Sequence, residues 1–350
     1  MSGRVRLARI TDLAALGELS RLSQQGNVDA RSLGLPVSGP RIGVFSLFRL
    51  PLGAFRPNDL LFVYEDERRL SGLLRVERDG SRDEWTIVEL DAIGSGDTAD
   101  SDETRYSGDT RYRMVGHLLR DGAKRGALRF HVACSDDQGN VELFMQAGFA
   151  RYGQERLLFR TAGTQMPRQW PEDRVRSAGI RPCQPVDALA LSKLYNAVTP
   201  RAVARLEGYR LSDWERDGAK TRVPRSSLAP ILRFADVEAY VQAGEAPGEV
   251  AGLLQVGVAE EDQPHYMRVL ARPETDVAGL IDFGLGLIAG RAGGSGVCPD
   301  NGILAPVRTY ESPIDRRLEE AGFVGLATVT LLMREAHVRV AEPALVPAVR

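Results

Sequence analysis

Three blocks of this sequence occur twice, in the same order and about half a chain apart. VRLARITDLAALGEL (5–19) aligns with IRPCQPVDALALSKL (180–194) at an offset of 175, pairing Arg6 with Arg181, Asp12 with Asp187 and Leu16 with Leu191. LSGLLRV (70–76) aligns with VAGLLQV (250–256) at 180, and FMQAGFARYGQERLLFR (144–160) with LEEAGFVGLATVTLLMR (318–334) at 174. Three colinear blocks indicate a duplicated unit. A 350-residue chain gives each copy enough length for its own core. The offset falls from 180 to 174, so the first copy carries six additional residues between its second and third blocks and the copies are not equivalent. The expected division is a first unit at 1–160, a linker at 161–176 with two prolines and no periodicity, a second, degenerate unit at 177–340, and a loosely held tail at 341–350.

Periodicity outlines one unit. Val5–Ala8 reads as a short strand, and Thr11 or Asp12 as the cap of a helix with Leu13, Leu16 and Leu19 on one face. Leu60–Glu65, Leu70–Glu77 and Trp85–Ile93 read as three strands in succession. A helix is expected from about Tyr112 to Lys124, with Met114, Val115, Leu118 and Leu119 on one face and Gly126 as its stop. A strand at Ala127–Ala133, a helix at Asn140–Gln146 and a strand at Glu155–Arg160 complete the copy. The second half repeats the order, with a helix at Asp276–Arg291 and a strand near Ile303–Val307. The fold class is mixed α/β, with three αβα layers.

Composition removes several classes. The net charge of −2 offers no uncompensated basic surface for nucleic acid. The most apolar window, 278–290, is interrupted by Asp282 and too short to span a bilayer, and the N-terminus lacks the apolar stretch of a secretory signal. Three cysteines and four histidines are dispersed, so no metal site or disulfide framework is readable. A cytoplasmic protein is expected.

One stretch departs from that balance. From Arg105 to Arg129 there are seven basic residues against Asp109 and Asp121. At its start Arg105, Gly108, Thr110, Arg111, Tyr112 and Arg113 stand where a turn is expected to enter a helix. The first N–H groups of a helix have no internal partners, so such a turn suits a polyanion such as a pyrophosphate. The equivalent stretch, 272–291, has two basic residues against three acids, and its Gly284, Gly286 and Gly290 read as close helix packing. Only the first copy is expected to hold an anionic ligand.

The order of elements, the turn before the central helix and the closing Ala-Gly-Phe string resemble the GNAT acyltransferase superfamily over roughly 5–160 and 178–336. The tandem layout is similar to that of mycothiol-synthase-like double-GNAT proteins. The family's loop signature is approached by Arg105…Gly108…Thr110, with Thr in place of the last Gly or Ala. The resemblance implies that backbone amides around Gly108–Arg113 hold the pyrophosphate of acetyl-CoA or another acyl-CoA, and that pantetheine inserts beside the strand ending at Ala92-Ile93. It also implies direct transfer of an acetyl group to an amine of a small molecule or peptide, by a monomer or homodimer.

Such chemistry needs a base for the amine, donors for the oxyanion and an acid for the leaving thiolate. Glu89 and Asp91 alternate on one side of the third long strand and are candidate bases. The family's usual acid is a Tyr five residues before the Phe of the Gly-Phe pair; here Phe144 and Leu318 stand there, and neither donates a proton. Tyr106, Tyr112 and Tyr152 are the substitutes, with Tyr112 carried forward as the catalytic candidate. His131, on a strand between Phe130 and Val132, reads as a structural histidine. The segment 23–59 is where the family builds acceptor pockets. Two other readings stay open: a non-catalytic double-GNAT protein that senses a ligand or binds a partner, which Phe144 and Leu318 favour, and an aminoacyl-tRNA-dependent transferase, which would want a basic surface.

Overall fold

The structure is a computed structural model that describes residues 3–12, 14–16, 33, 58–66, 69–92, 102–136, 139–217, 223–259, 263–291 and 301–336, with 102–108 described by their backbone. The first half runs β1 (Arg4–Leu7), β2 (Asp59–Asp66), β3 (Arg69–Asp79), β4 (Glu84–Ala92), α1 (Asp102–Lys124), β5 (Arg129–Cys134), α2 (Asn140–Gln146) and β6 (Ala150–Arg160). After the short helix α3 (Glu172–Ser177) come β7 (Ile180–Pro182), α4 (Ala188–Val198), α5 (Arg201–Glu207) and α6 (Leu211–Asp217). The chain closes with β8 (Phe234–Ala243), β9 (Val250–Ala259), β10 (His265–Ala271), α7 (Val277–Arg291), β11 (Ile303–Arg308), α8 (Ser312–Glu320) and β12 (Val324–Glu335). Most expected elements are present near their expected bounds. β6 begins at Ala150 rather than Glu155, α3 occupies the end of the expected linker, and the helix expected after Asp12 is described only at 14–16. The largest departure is α1, which begins at Asp102 rather than near Tyr112 and passes through the expected turn.

Each repeated block has one structural job. Arg6 grips Asp12 with both guanidinium nitrogens, at 2.6 and 2.9 Å, and Arg181 grips Asp187 at 2.7 and 2.6 Å. Each aspartate also accepts from the backbone N–H three residues earlier, at Arg9 and Gln184. The first strand of each unit is thereby fastened to the turn that follows it. In the second block, a Cβ on Gly72 would lie 2.7 Å from Met114 Sδ of α1, and one on Gly252 would lie 2.6 Å from Leu280 Cδ1 of α7. The glycines are where each long helix crosses its sheet. In the third block, Gly148 and Gly322 adopt φ of 84° and 85°, stop α2 and α8, and turn Phe149 and Phe323 into the core.

The sheet joins the halves. Its strand order is β1-β2-β3-β4-β5-β12-β6-β11-β10-β9-β8-β7, in which the second group of six repeats the first in reverse. Among the described residues only β4–β5 and β10–β11 are parallel. The last strand of each half lies against the other half: β12 pairs with β5, β6 pairs with β11, and β6 and β12 pair with each other from Val324↔Phe159 to Met333↔Ala150. Arg334 of β12 donates to the Ala147 carbonyl at the end of α2, while Arg160 of β6 lies against Gly322 at the end of α8. The two arginines occupy equivalent places in the repeat, and each serves the opposite half.

Alternation sends side chains to both faces. Leu74, Val76, Ile87 and Leu90 pack under α1 and α2, and Leu254, Val256 and Met267 under α7 and α8. On the other face Leu73 meets Leu16, Leu253 and Val241 meet α4 and Trp214, and Leu228 and Leu232 cover Ala133 and Leu331. The three layers are those expected. No helix among the described residues is long and apolar enough to cross a membrane.

Candidate functional site

The site begins where two parallel strands part. β4 and β5 pair from Glu84↔Arg129 to Ile87↔Val132 and no further, although β4 runs on to Ala92. At the same level the β3–β4 ladder slips: Arg75 faces Glu89 while Val76 faces Ile87, leaving Val88 as the extra residue. A bulge takes one residue's backbone out of the ladder and re-aims it, a device common beside active sites. The first half thus has a V-shaped opening with a bulge at its apex.

The second half lacks both features in usable form. β10 and β11 pair only at His265↔Ile303 and Tyr266↔Leu304, but Arg268 crosses the gap between them. Its guanidinium donates to the Pro306 carbonyl of β11 at 3.1 Å and to both Glu311 oxygens at 2.6 and 2.7 Å. This pair is buried, so the gap is closed by side chains that are hard to displace. The β9–β10 ladder has no register shift. Gly284 approaches Leu254 and Met267, whereas Gly286 and Gly290 admit Arg168 and Gln169 of the linker. Close packing was the expected role of these glycines; their partners are the sheet and the linker.

Several expected residues of the first half are placed differently from their reading. Gly108, Thr110, Arg111, Tyr112 and Arg113 lie inside α1, as does Arg105, so their amides face the preceding helical turn rather than a ligand. The expected amide cradle is corrected accordingly: amides not committed to internal helical bonds belong to the first turn at Asp102, whose sequence carries Asp102 and Glu103. The basic stretch is also largely engaged locally. Arg113 pairs with Asp109 at 2.8 Å, Arg125 with Asp121 at 2.8 Å, and Arg129 with Glu84 at 3.3 Å. Arg111 reaches across to Asn140 Oδ1 at the start of α2, and its electrostatic partners include Asp91 and Cys134 at the ends of β4 and β5. It therefore stands at the mouth of the opening. Desolvation lowers its pKa, so this cation is held in poorly hydrated surroundings.

Beside it a groove of about 420 Å³ runs between α1 and α2, lined by Asp109, Arg111, Tyr112, Gly139, Glu142, Leu143 and Gln146. Tyr112 is exposed on this rim. Thr110 turns its methyl toward Gly72, and Ala92 pairs with Gly72 at the end of β4. Ile93, most of 23–59 and the tail lie outside the described residues. Burial pushes the Cys134 thiol up to about 12, which rules it out as a nucleophile at neutral pH.

Of the candidate bases, Glu89 is 3.2 Å from Arg75, which neutralises it, and Asp91 lies near Arg111. Phe144 and Leu318 are fully buried, Phe144 edge-on to Phe149 at 5.3 Å between ring centres. Both positions belong to the core. Of the substitute acids, Tyr152 sits on the opposite face of the sheet from α1, where desolvation raises its phenol to about 12.

That face contains what the sequence reading missed. Residues 225–231 of the second half lie across Thr86, Val88, His131 and Ala133 of the first. Arg225 donates to Thr86 Oγ1 at 3.0 Å and pairs with Glu84, and Ser227 N–H donates to Glu155 at 2.9 Å. Arg308 of β11 joins Glu155 at 3.2 Å and Glu207 at 2.9 Å. Glu84, Glu155, Glu207 and Arg308 are buried, Arg225 is half-buried, and these charges compensate one another across the boundary between the halves. Their signal in the sequence is scattered over more than 200 residues and has no period.

No protein-family model and no curated protein matches this sequence. Solved structures do match it along nearly its whole length. A tandem GNAT protein from the clavulanic acid biosynthesis pathway superposes with a TM-score of 0.52 at 12% identity, covering 97% of this chain and 100% of that one. A GCN5-related N-acetyltransferase from Sphaerobacter thermophilus superposes with a TM-score of 0.53 at 13% identity, covering 97% of both chains. The protein has the GNAT fold. More particularly, it has the tandem form of that fold, two GNAT-like units in one chain, as the repeat implied.

Proposed function

We propose that this protein is an N-acyltransferase whose first half alone accepts an acyl-CoA thioester, acetyl-CoA in the simplest case, and passes the acyl group to an amine arriving from the opposite face of the sheet. The observation that carries the proposal is the bulged, parted β4–β5 pair, set against its plugged counterpart at β10–β11. A bound acyl-CoA would supply the activated acyl carbon. Its thioester arm would enter the opening beside Val88 and Ala92, where β4 leaves β5. Its diphosphate does not fit at Gly108–Arg113, whose amides are helical, and the adjoining groove carries Asp109 and Glu142 as well as Arg111. Arg111 is the cation placed to meet it.

The chain's own residues divide the remaining work. The Val88 backbone, out of the ladder, is the donor for the carbonyl oxygen. Arg111, released from Asn140, orients the anionic end. Tyr152, whose phenol keeps its proton, is the donor on the acceptor face. Glu89 and Asp91 hold Arg75 and Arg111 in place, and Tyr112 lines the entrance. A small-molecule or peptide amine is the acceptor class.

Titration of the full chain with acetyl-CoA by calorimetry is expected to give one site per chain. Arg111→Glu, which sets a carboxylate beside Asp91 and Glu142, is expected to weaken binding at least tenfold (about 1.4 kcal/mol), while Glu274→Lys in the second half leaves it unchanged. Two sites would overturn the asymmetry. The second reading, a non-catalytic ligand-binding protein, is favoured by the core placement of Phe144 and Leu318; binding without thioester turnover against small amines would select it.

A further inference from the structure

We infer that His131 takes the proton from the attacking amine, in a cavity on the acceptor face that the second half closes with Arg225–Ile231; this assignment rests on the acyl-transfer reading above. His131 is 3% exposed, yet neither ring nitrogen has a hydrogen-bond partner among the described residues. A buried polar ring without partners is costly to maintain and uncommon. A histidine kept only for structure would be expected to donate to a carbonyl or carboxylate. This one points into a cavity lined by Thr86, Val88, Ala133, Tyr152, Ser226 and Ile231.

The position is the decisive part. His131 pairs with Thr86, one step before β4 and β5 separate, and Val88 with its bulge borders the same cavity. A carbonyl held at the bulge would present its carbon to the histidine side of the sheet. The cavity leaves about 20 Å³, room for an amine nitrogen or one relaying water. The body of the acceptor therefore stays outside, and the reacting end alone meets the ring.

Burial is the main influence on the protonation of the ring, and the charge around it adds to the effect. Glu84 on β4 is 3.6 Å from Nε2. Desolvation disfavours an imidazolium most, followed by Arg225 on the covering segment, Arg82, Arg129 on β5 and Arg308 on β11. Tyr152 of β6 is edge-on to the ring at 6.4 Å between centres and stays neutral. His131 is thus unprotonated at neutral pH and able to accept. In the neutral ring one nitrogen carries a proton and the other accepts. As the amine nitrogen bonds to the carbonyl carbon, its N–H proton passes to the accepting nitrogen, directly or through the water. The C–S bond then breaks, and its electron pair leaves on sulfur.

The test uses full-length protein, acetyl-CoA and hydroxylamine, a nucleophile small enough for the cavity, with hydroxamate as the product measured above the protein-free rate. His131→Gln is expected to bind acetyl-CoA with wild-type affinity and to lose at least about 100-fold in turnover, within the usual range for a general base. It is also expected to lose any acid-side fall in rate beyond that of hydroxylamine itself. Ile231→Trp fills the cavity from the second half while leaving His131 in the chain, and is expected to abolish turnover while acetyl-CoA binding persists. Wild-type turnover in His131→Gln, or in Ile231→Trp, with binding intact overturns this assignment and leaves the acyl-transfer reading standing. Failure of the wild-type chain to bind acetyl-CoA overturns both.

Discussion

Arg6 with Asp12 and Arg181 with Asp187 are the same small machine built twice, and its electrostatics can be measured. Hydrogen bonding to the arginine lowers the pKa of each aspartate below its ordinary value of 3.8. A depressed carboxylate contributes stability that is complete above the unfolded value and disappears as pH falls through the folded one. Asp187→Asn keeps the capping geometry and removes the charge, so it is expected to lower stability by about 0.5–1 kcal/mol at pH 7. The difference should shrink steadily in denaturant melts as pH is lowered from 3.8 through the depressed folded value; a gap that does not shrink would mean the charge is not what matters. The pairing of these residues was legible in the repeat, because both partners recur at one offset. His131 was not legible in the same way. An alternating strand histidine looks satisfied until the elements around it are placed, and those come from β4, β6, β11 and a segment nearly a hundred residues downstream.

Elements behave similarly. Gly72 and Gly252 sit where α1 and α7 cross the sheet, and Gly252 meets the branched end of Leu280. Gly252→Ala is expected to cost about 1–3 kcal/mol by overpacking, measured by thermal or urea unfolding. Leu280→Ala should recover part of that loss by making room, and a strictly additive double variant would show that the two do not touch. The strands, α2 and the glycine stops were readable because period, β-branched content and turn residues agreed. The start of α1 was not. Gly108 and the surrounding polar residues resemble a turn, but Asp109 and Arg113 are spaced i,i+4 and support a helix once it is formed. The exchange of β6 and β12 left no local trace either. Both strands carry the same pattern, and nothing along the chain states which edge each will join.

At the scale of the whole molecule the exchange makes folding a joint event. Without β12 the edge of β5 is bare, and without β6 the edge of β11 is. Exposed strand edges of this kind aggregate. A chain cut between Gly163 and Thr164, in the turn after β6, is expected to give two fragments that fold and copurify one-to-one when coexpressed and precipitate when made alone. A soluble, monomeric 1–163 with native far-UV circular dichroism would show that the loan of strands is dispensable. The buried ion network of Glu84, Arg225, Glu155, Arg308 and Glu207 belongs to this scale too, since breaking any one pair leaves a stranded charge in the middle of the protein.

Arg268 shows what such mutual dependence permits. Under the proposed function, a copy whose own opening is stoppered has no acyl-CoA site to preserve. Yet it cannot be deleted, because it lends the other half a strand and a roof. Selection would then hold it along the surface that its twin leans on and leave the rest of it free to change.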